Sequence, residues 1–443
     1  MFNNPELQRN LWLEFSRHRI VVMPVVLLTI FFTAYLGDNN RFGEGVATTA
    51  LWAYFLIVIV WGSRMSSEAV VQEINDRTWD NQRMSSLSPW TMTWGKFFGS
   101  TLFSWYGALF CLIVLMYSYP DDGWRRGPTL AYLIPLCVLT GLVAQAISFI
   151  ASLVSIQKNS VPGRSLSSLY VLVSLIFVGY MAGFIFNAST THVNWYGGKY
   201  SGQLFMLATL IVFFVWAIIS AYRLMRVELQ LKNRPIYWPL FVIFVAFYFA
   251  GFVAETETAY ILKRSLVAYT IIVLLTYVMM FSDTKNPMLF RRLFYHLAAK
   301  NYKKSIEAVP SWFVTFILLF LMMMILVWQS NESFRFIDVQ INFRFYVIAI
   351  FLFAIRDIAL ILFFNFSPKQ GRADLTAFFY LLILYGLLPV LFNAAEIKTG
   401  IALFIPFDAD NPYITLISAA VQALIVSLLV RQRWKNYYIT KNA

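Results

Sequence analysis

The sequence predicts an all-α polytopic membrane protein with about 12 transmembrane helices in two six-helix halves. Of its 443 residues, 59% are hydrophobic and only 13% are charged, whereas a soluble domain has about 45–50% apolar and about 25% charged residues. Apolar runs of about 17 to 25 residues recur along the chain, the length that crosses ~30 Å of hydrocarbon. The 24 Tyr and 14 Trp suit the two membrane interfaces.

The first predicted element is an amphipathic helix over residues 4–19. Leu7, Leu11 and Phe15 fall on one helical face, which is typical of a helix that lies in the membrane interface. The apolar runs that follow predict twelve spans. Their boundaries are near 20–36, 47–64, 97–118, 130–156, 166–187, 204–222, 238–253, 262–281, 312–328, 343–365, 374–394 and 412–430.

The distribution of basic residues predicts the orientation of these spans. Most of the 35 Lys and Arg fall on alternate connecting segments that include both termini, and basic loops face the cytoplasm. Both termini are therefore expected in the cytoplasm. The same rule accounts for the net charge of +13 without a nucleic-acid partner.

An internal repeat divides the predicted spans into two halves, 1–235 and 236–443. The stretch at 157–175 resembles the stretch at 369–387, and each contains a Gly-Arg pair that opens a span. A second register is also open, because NPMLFRRLF from Asn286 echoes NPELQRNLW from Asn4. Both registers leave an amphipathic cytoplasmic segment at 282–310.

Residues 68–97 form the longest polar interruption in the first half. Residues 68–80 have helical spacing, and Pro89 ends that helix because proline disfavours helical backbone in the residue before it. Ser88 is expected to cap a short helix that starts at Pro89. Gly95 and Lys96 mark the return to the bilayer, with the Lys96 ammonium reaching the lipid phosphates. The competing interpretation is an ordinary solvated loop.

The order Glu73, Arg77-Thr78, Leu87, Ser88-Pro89 and Gly95-Lys96 resembles the pattern E…GT…L…SP…GK in permease subunits of ABC exporters of type 2. The helix beginning at Asn4-Pro5 resembles the interfacial helix that opens these permeases. The sequence departs at Arg77, where glycine is usual, and at Trp79, where leucine is common.

The resemblance implies a coupling helix that docks on an ATP-binding subunit, in a multi-pass protein of a bacterial-type cytoplasmic (inner) membrane. The implied docking residues are Glu73, Arg77, Thr78, Trp79, Ser88, Pro89, Gly95 and Lys96. The second half lacks a clean copy of the pattern. Its basic segment provides a second candidate docking surface with Arg291, Arg292, Lys303 and Lys304.

The sequence contains no G-x-x-x-x-G-K-[ST] phosphate-binding loop, which predicts a transport subunit rather than an enzyme. ATP and Mg²⁺ are then expected on a separate, dimeric ATP-binding partner, while pairing with a second copy of this chain stays open. The three histidines are widely separated, and Cys111 and Cys137 lie in apolar runs. No bound cofactor, metal site or catalytic residue is therefore predicted.

Arg356 and Asp357 lie inside a predicted span, where ionisable side chains are costly and often functional. They form either a polar lining or gate of a substrate path, or a pair that fixes helix packing. The predicted function is an ATP-driven permease that exports or extracts a hydrophobic or amphipathic substrate. The alternatives are a twelve-span secondary transporter that uses this charged pair, and a membrane-embedded transferase.

Overall fold

The structure is a computed structural model of the chain. It describes residues 4–119, 126–158, 175–176, 179, 192–231, 233, 236–255, 260–283, 285, 287–329, 333–336, 339–367, 373–406 and 412–442. Most of the residues that the structure describes are helical. Ten helices among the described residues are long and apolar enough to cross a membrane, which confirms the all-α polytopic class.

The chain divides into two compact units, and unit 1 comprises Met1–Val193 and Lys199–Asn233. Its third helix continues through a π-helical segment, Phe55–Trp61, into the fourth. Its helices are α1 (Pro5–Glu14), α2 (Arg17–Gly37), α3 (Glu44–Tyr54), α4 (Gly62–Asn75), α5 (Trp79–Arg83), α6 (Pro89–Ser118), α7 (Arg126–Lys158) and α8 (Gly202–Glu228). Before α8, β1 (His192–Trp195) pairs with β2 (Gly198–Ser201).

Unit 2 comprises Asn194–Gly198 and Arg234–Ala443. A π-helical segment, Ile383–Leu387, joins α15 to α16, and an antiparallel hairpin of β3 (Ser333–Phe336) and β4 (Val339–Asn342) precedes α14. Its helices are α9 (Tyr237–Ala250), α10 (Tyr260–Ser282), α11 (Pro287–Ala298), α12 (Tyr302–Ala308), α13 (Ser311–Gln329), α14 (Phe343–Asn365), α15 (Ala373–Leu382), α16 (Leu388–Ala394), α17 (Lys398–Ala402) and α18 (Pro412–Asn442).

Ten of the twelve predicted spans coincide with the ten long apolar helices. The predicted span at 238–253 corresponds to α9, which has 14 residues and reaches only ~21 Å, short of the ~30 Å hydrocarbon layer. The predicted span at 166–187 lies outside the described residues. The count of twelve, and the six spans expected in each half, stay predictions.

The N-terminal region forms two helices where a single one was predicted over 4–19. Asn4 caps α1, since its side-chain oxygen accepts hydrogen bonds from the amides of Glu6 and Leu7, and Pro5 occupies the first helical turn. At Phe15 the backbone leaves the helical region (φ −93°, ψ 63°). The change of direction separates the amphipathic α1 from the first span, α2.

A buried amide, Gln145 of α7, links the core helices of unit 1. The π-helical segment frees the Val58 carbonyl, which accepts a hydrogen bond from Gln145 Nε2 at 3.1 Å. Trp105 Nε1 donates to Gln145 Oε1 at 3.0 Å, and Ser66 Oγ donates to the Gln145 carbonyl at 2.9 Å. Because a buried amide is costly unless it is hydrogen-bonded, this arrangement fixes the register of α4, α6 and α7.

Glycines allow these helices to approach closely, as small residues do in membrane helix interfaces. A Cβ atom on Gly141 would lie 2.6 Å from Val58 Cγ1, and one on Gly62 would lie 2.4 Å from Gln145 Nε2. Neither position has room for a Cβ atom unless the opposing side chain shifts.

Gly141→Ala is therefore expected to lower the free energy of unfolding of the detergent-solubilised protein by about 1–3 kcal/mol, the usual cost of overpacking. Gly37→Ala is the matched control, because a Cβ atom there meets nothing within 4 Å. Thermal unfolding monitored by size-exclusion chromatography measures both. Equal melting temperatures for the two variants would contradict the close packing of α7 against the π-helical segment.

Candidate functional site

The polar connection between α4 and α6 begins with a tight turn after Asn75. The Thr78 amide donates to the Glu73 carbonyl at 3.0 Å and the Arg77 amide donates to the Ile74 carbonyl at 3.2 Å. These two bonds define a Schellman motif, which satisfies the last carbonyls of a helix. The helix predicted over 68–80 therefore ends five residues early.

Arg77 occupies the left-handed position of this turn, with φ of 59°. A left-handed backbone is unfavourable for a residue with a Cβ atom and favours glycine. Glycine is the residue that the family resemblance places before the threonine. The turn thus explains why glycine is usual at this position. Arg77 adopts the same left-handed backbone at a small energetic cost.

The short helix α5 follows, and its first residue, Trp79, is a core residue. Trp79 is buried in one cluster with Val70 of α4, Phe97 of α6, Phe149 of α7 and Met225 of α8. Trp79 therefore ties the α5 segment into a core cluster to which α4, α6, α7 and α8 all contribute.

Ser88 and Pro89 start α6 as predicted. Ser88 Oγ accepts a hydrogen bond from the Thr91 amide at 3.1 Å, and Pro89 is the first residue of the helix. The prediction of a short surface helix from Pro89 is wrong, because α6 runs for 30 residues and continues into the span. Between α4 and α6, the separate short helix is α5.

Lys96 was predicted to reach towards lipid phosphates. That prediction is wrong, because the Lys96 side chain is only 1% exposed. Its ammonium pairs with Glu6 at 3.0 Å and with Glu73, and it donates to Gln82 Oε1 at 2.6 Å. The ammonium also lies 5.2 Å from the centroid of the Trp79 ring. Burying an ammonium costs several kcal/mol, so these contacts replace the water and phosphates that would otherwise solvate it.

Glu6 connects the charged cluster to α1. Arg9 donates to Glu6 Oε1 at 2.9 Å and also pairs with Glu73, while Gln82 Nε2 donates to Glu73 Oε1 at 2.8 Å. We call Glu6, Arg9, Glu73, Gln82 and Lys96 the α1–α6 charge cluster. It contains two anions and two cations, and it joins α1, α4, α5 and α6.

Two glycines of α6 bring α1 close enough for these contacts. A Cβ atom on Gly95 would lie 2.6 Å from Glu6 Cβ, and one on Gly99 would lie 2.7 Å from Asn10 Cβ. Sequence reasoning missed Glu6, Arg9 and Gln82. The matching four-residue spacings, Glu6 with Asn10 and Gly95 with Gly99, are a sequence signal that would have identified this helix pair.

The eight predicted docking residues thus divide into two groups by exposure. Arg77, Thr78 and Ser88 are exposed and Pro89 is half-buried. Trp79, Gly95 and Lys96 are buried and the Glu73 side chain is only 12% exposed. Residues of the first group are accessible to a partner, and those of the second hold the connection together.

The second candidate docking surface lies on α11 and α12 of unit 2, where Arg291, Arg292, Lys303 and Lys304 are all exposed. Asp283 holds the ends of this connection together, since its carboxylate accepts hydrogen bonds from the amides of Ser311 (2.8 Å) and Trp312 (3.3 Å). Burial raises the pKa of the Asp283 carboxyl, and these two amides act in the opposite direction.

Arg356 and Asp357 form a buried ion pair in the middle of unit 2. Arg356 Nε donates to Asp357 Oδ1 at 2.7 Å. The hydroxyls of Tyr277 and Tyr385 both donate to Asp357 Oδ2 at 2.5 Å, and Tyr385 lies in the π-helical segment Ile383–Leu387. Both carboxylate oxygens are therefore occupied by donors from three spans.

The Arg356 guanidinium is also enclosed. Its Nη1 donates to Gln422 Oε1 of α18 at 2.7 Å, and its Cζ lies 4.7 Å from the Phe353 ring and 5.0 Å from the Tyr385 ring. Cation–π contacts of this kind are strongest when the cation is desolvated. The pair thus fixes α10, α14, the α15–α16 span and α18 relative to one another.

The fold and the two buried polar clusters define a polytopic membrane protein with a braced polar connection between two spans. Residues 33–196 match the family model described as ABC-2 family transporter protein, just over a third of the chain, and the match includes the whole connection from α4 to α6. The match supports an ABC-2 type permease and confirms the resemblance found in the sequence. No curated protein and no solved structure matches the chain.

Lys96→Met is expected to lower the free energy of unfolding by about 3–5 kcal/mol, because it leaves Glu6 and Glu73 with only the exposed Arg9 as a counter-ion. The triple variant Glu6→Gln/Glu73→Gln/Lys96→Met should recover much of this loss. Lys199→Met removes an exposed lysine and serves as the control. Denaturant unfolding in mild detergent measures all four proteins, and a single variant as stable as this control would contradict the buried cluster.

Asp357→Asn is expected to destabilise unit 2 by about 3–5 kcal/mol, because Arg356 would remain buried without a counter-charge. Arg356→Gln/Asp357→Asn removes both charges and should cost markedly less. A double-mutant cycle on thermal unfolding measures the coupling between the two residues. Additive effects would show that the two side chains do not form a stabilising pair.

Proposed function

We propose that this chain is the transmembrane permease subunit of an ATP-driven ABC transporter of a bacterial-type cytoplasmic membrane. A separate ATP-binding subunit, acting as a dimer and carrying the ATP and Mg²⁺, would supply the energy. The observation that carries the proposal is the α1–α6 charge cluster, which turns a polar connection into a braced element. The family match over the same connection supports it.

The surface proposed for docking is the solvent-exposed side of the connection from Arg77 to Trp90. Arg77, Thr78 and Ser88 are exposed there, together with two large apolar side chains, Met84 at 79% and Trp90 at 48% exposure. Exposed aromatic and methionine side chains beside an arginine are typical of protein interfaces. With the basic termini in the cytoplasm, this surface faces the compartment that contains ATP.

Movement of a docked partner would pass into the spans by two rigid contacts. Lys96 connects the α5 segment to α1, α4 and α6 through Glu6, Glu73 and Gln82. Trp79 connects the same segment to the core that includes α7 and α8. A push on α5 would therefore displace several helices of unit 1 together rather than bend a loop.

The buried polar groups favour a hydrophobic or amphipathic substrate that is exported or extracted from the bilayer. In unit 1 the groups around Gln145 are uncharged, and in unit 2 the charges of Arg356 and Asp357 compensate each other. A secondary transporter would need a carboxylate that is free to exchange a cation. Both oxygens of Asp357 are already used by Arg356, Tyr277 and Tyr385, so this alternative is less favoured.

The docking proposal predicts that Arg77→Gly/Met84→Ser lowers retention of the ATP-binding subunit about tenfold in co-purification, since arginine and large apolar anchors contribute most to interfaces. The glycine also suits the left-handed backbone at 77, so a loss of binding would not reflect unfolding. Arg41→Gln, in the exposed connection between α2 and α3, is the control. The natural partner to test is a phosphate-loop ATPase encoded beside this chain.

Three results separate the parts of the proposal. Undiminished retention by the Arg77→Gly/Met84→Ser variant would remove this surface from the docking role. Retention of the ATP-binding subunit by a Lys96→Met variant, with ATP hydrolysis no longer dependent on substrate, would support a transmitting role for the cluster. A wild-type chain that retains no ATP-binding subunit would contradict the proposed function itself.

A further inference from the structure

The connection between α10 and α13 in unit 2 lies at the level where spans end. The Asp283 carboxylate, one residue past α10, binds the first two amides of α13. Two residues further on, Lys285 pairs with Asp374 at the start of α15, at 3.0 Å. Because Lys285 is only two residues from Pro287, α11 must begin close to the ends of these spans.

The α11 helix packs along the ends of three spans rather than projecting from them. The Phe290 ring lies 6.2 Å from the Trp312 ring of α13, 5.8 Å from the Phe366 ring just past α14, and 6.4 Å from the Trp434 ring near the end of α18. Leu293, one turn on, is also buried. This placement puts α11 in the layer that lipid head groups occupy.

The outer face of α11 and α12 combines cations with large apolar side chains. Arg291, Arg292, Lys303 and Lys304 are exposed. Between and beside them are the exposed side chains of Phe294 (59%), Tyr295 (70%), Leu297 (45%), Tyr302 (66%) and Ile306 (56%). Residues 287–308 contain five Lys and Arg and a single acid, Glu307.

We propose that this α11–α12 surface binds the head groups of anionic phospholipids. A helix at head-group level with arginines and exposed aromatic residues fits the boundary between phosphates and acyl chains. The guanidinium groups suit phosphate oxygens, which they bind in a bidentate manner. The inference depends on the membrane spans and on this surface, and does not depend on an ATP-binding partner.

The position of the apolar side chains favours lipid over a second protein-docking surface. In unit 1, the aromatic residue of the short helix α5, Trp79, is buried in the core. In unit 2, the side chains of Phe294, Tyr295 and Leu297 stay exposed beside the ends of the spans, where acyl chains would cover them. Units 1 and 2 would then present different surfaces, one to an ATP-binding subunit and one to the bilayer.

The test is native mass spectrometry of the full-length protein, purified from vesicles of equal phosphatidylglycerol and phosphatidylcholine. Each cation near an anionic surface contributes about a fivefold preference. Arg291→Gln/Arg292→Gln should therefore reduce the ratio of retained phosphatidylglycerol to phosphatidylcholine by about 25-fold. The control Arg41→Gln/Lys199→Gln removes two exposed cations elsewhere and should leave the ratio unchanged.

A second variant, Lys303→Gln/Lys304→Gln on α12, gives an independent reading if the arginine variant folds poorly. It should lower the ratio by a similar factor, and extraction in 1 M salt should abolish the difference between lipids. An unchanged ratio in both variants would overturn the proposal. The proposal would also be overturned if these variants lost a co-purifying ATP-binding subunit while the lipid ratio stayed the same. The surface would then be a protein-docking site.

Discussion

A buried ammonium needs compensating charge, and in unit 1 that requirement determines how the N-terminal helix is placed. Lys96 is enclosed by Glu6, Glu73, Gln82 and the Trp79 ring. Moving a charge out of water costs several kcal/mol, which is recovered only when oppositely charged partners and hydrogen bonds are well placed. Because Lys96 is on α6 and its partners are on α1, α4 and α5, the four helices are fixed together by one charge.

This constraint explains features that hydrophobic packing leaves unexplained. Helix α1 buries only Glu6 and Leu7, too little apolar surface to hold it firmly. Gly95 and Gly99 remove the side chains that would keep it away from α6. The Asn4 side chain adds a hydrogen bond from its Nδ2 to the Thr91 carbonyl at 2.7 Å. The polar contacts therefore position α1, and the proposed coupling surface inherits that rigidity.

Unit 2 meets a similar constraint with a different solution. Arg356 and Asp357 are neighbours on one helix, and their remaining partners come from α10, α18 and the π-helical segment of the α15–α16 span. In unit 1 the π-helical segment instead provides a free carbonyl, Val58, to the uncharged Gln145. Local π-helical geometry frequently occurs at functional sites, and here each instance supplies a partner to a buried polar group.

The sequence predicted the ten long apolar helices well, because their length and hydropathy are local properties of the chain. It also predicted the Ser88 cap and the Pro89 start, which follow from local chemistry. It misplaced the end of α4, because the Schellman turn there has Arg77 in the left-handed conformation. Glycine is the residue that usually indicates such a turn, and the sequence has none at this position. It also misplaced Lys96, whose partners Glu6 and Gln82 are 90 and 14 residues away. Pairings over such separations depend on tertiary structure.

The central claim is that the charge cluster makes α1 and the α5 segment move as one body. Spin labels at Trp12→Cys on α1 and Asn81→Cys on α5, in a chain lacking Cys111 and Cys137, report the distance between the two helices by pulsed electron paramagnetic resonance. With the ATP-binding subunit bound, ATP should leave the distribution of this distance unchanged when Lys96 is present. The Lys96→Met substitution should broaden that distribution. A distance that shifts with ATP equally in both backgrounds would contradict the account.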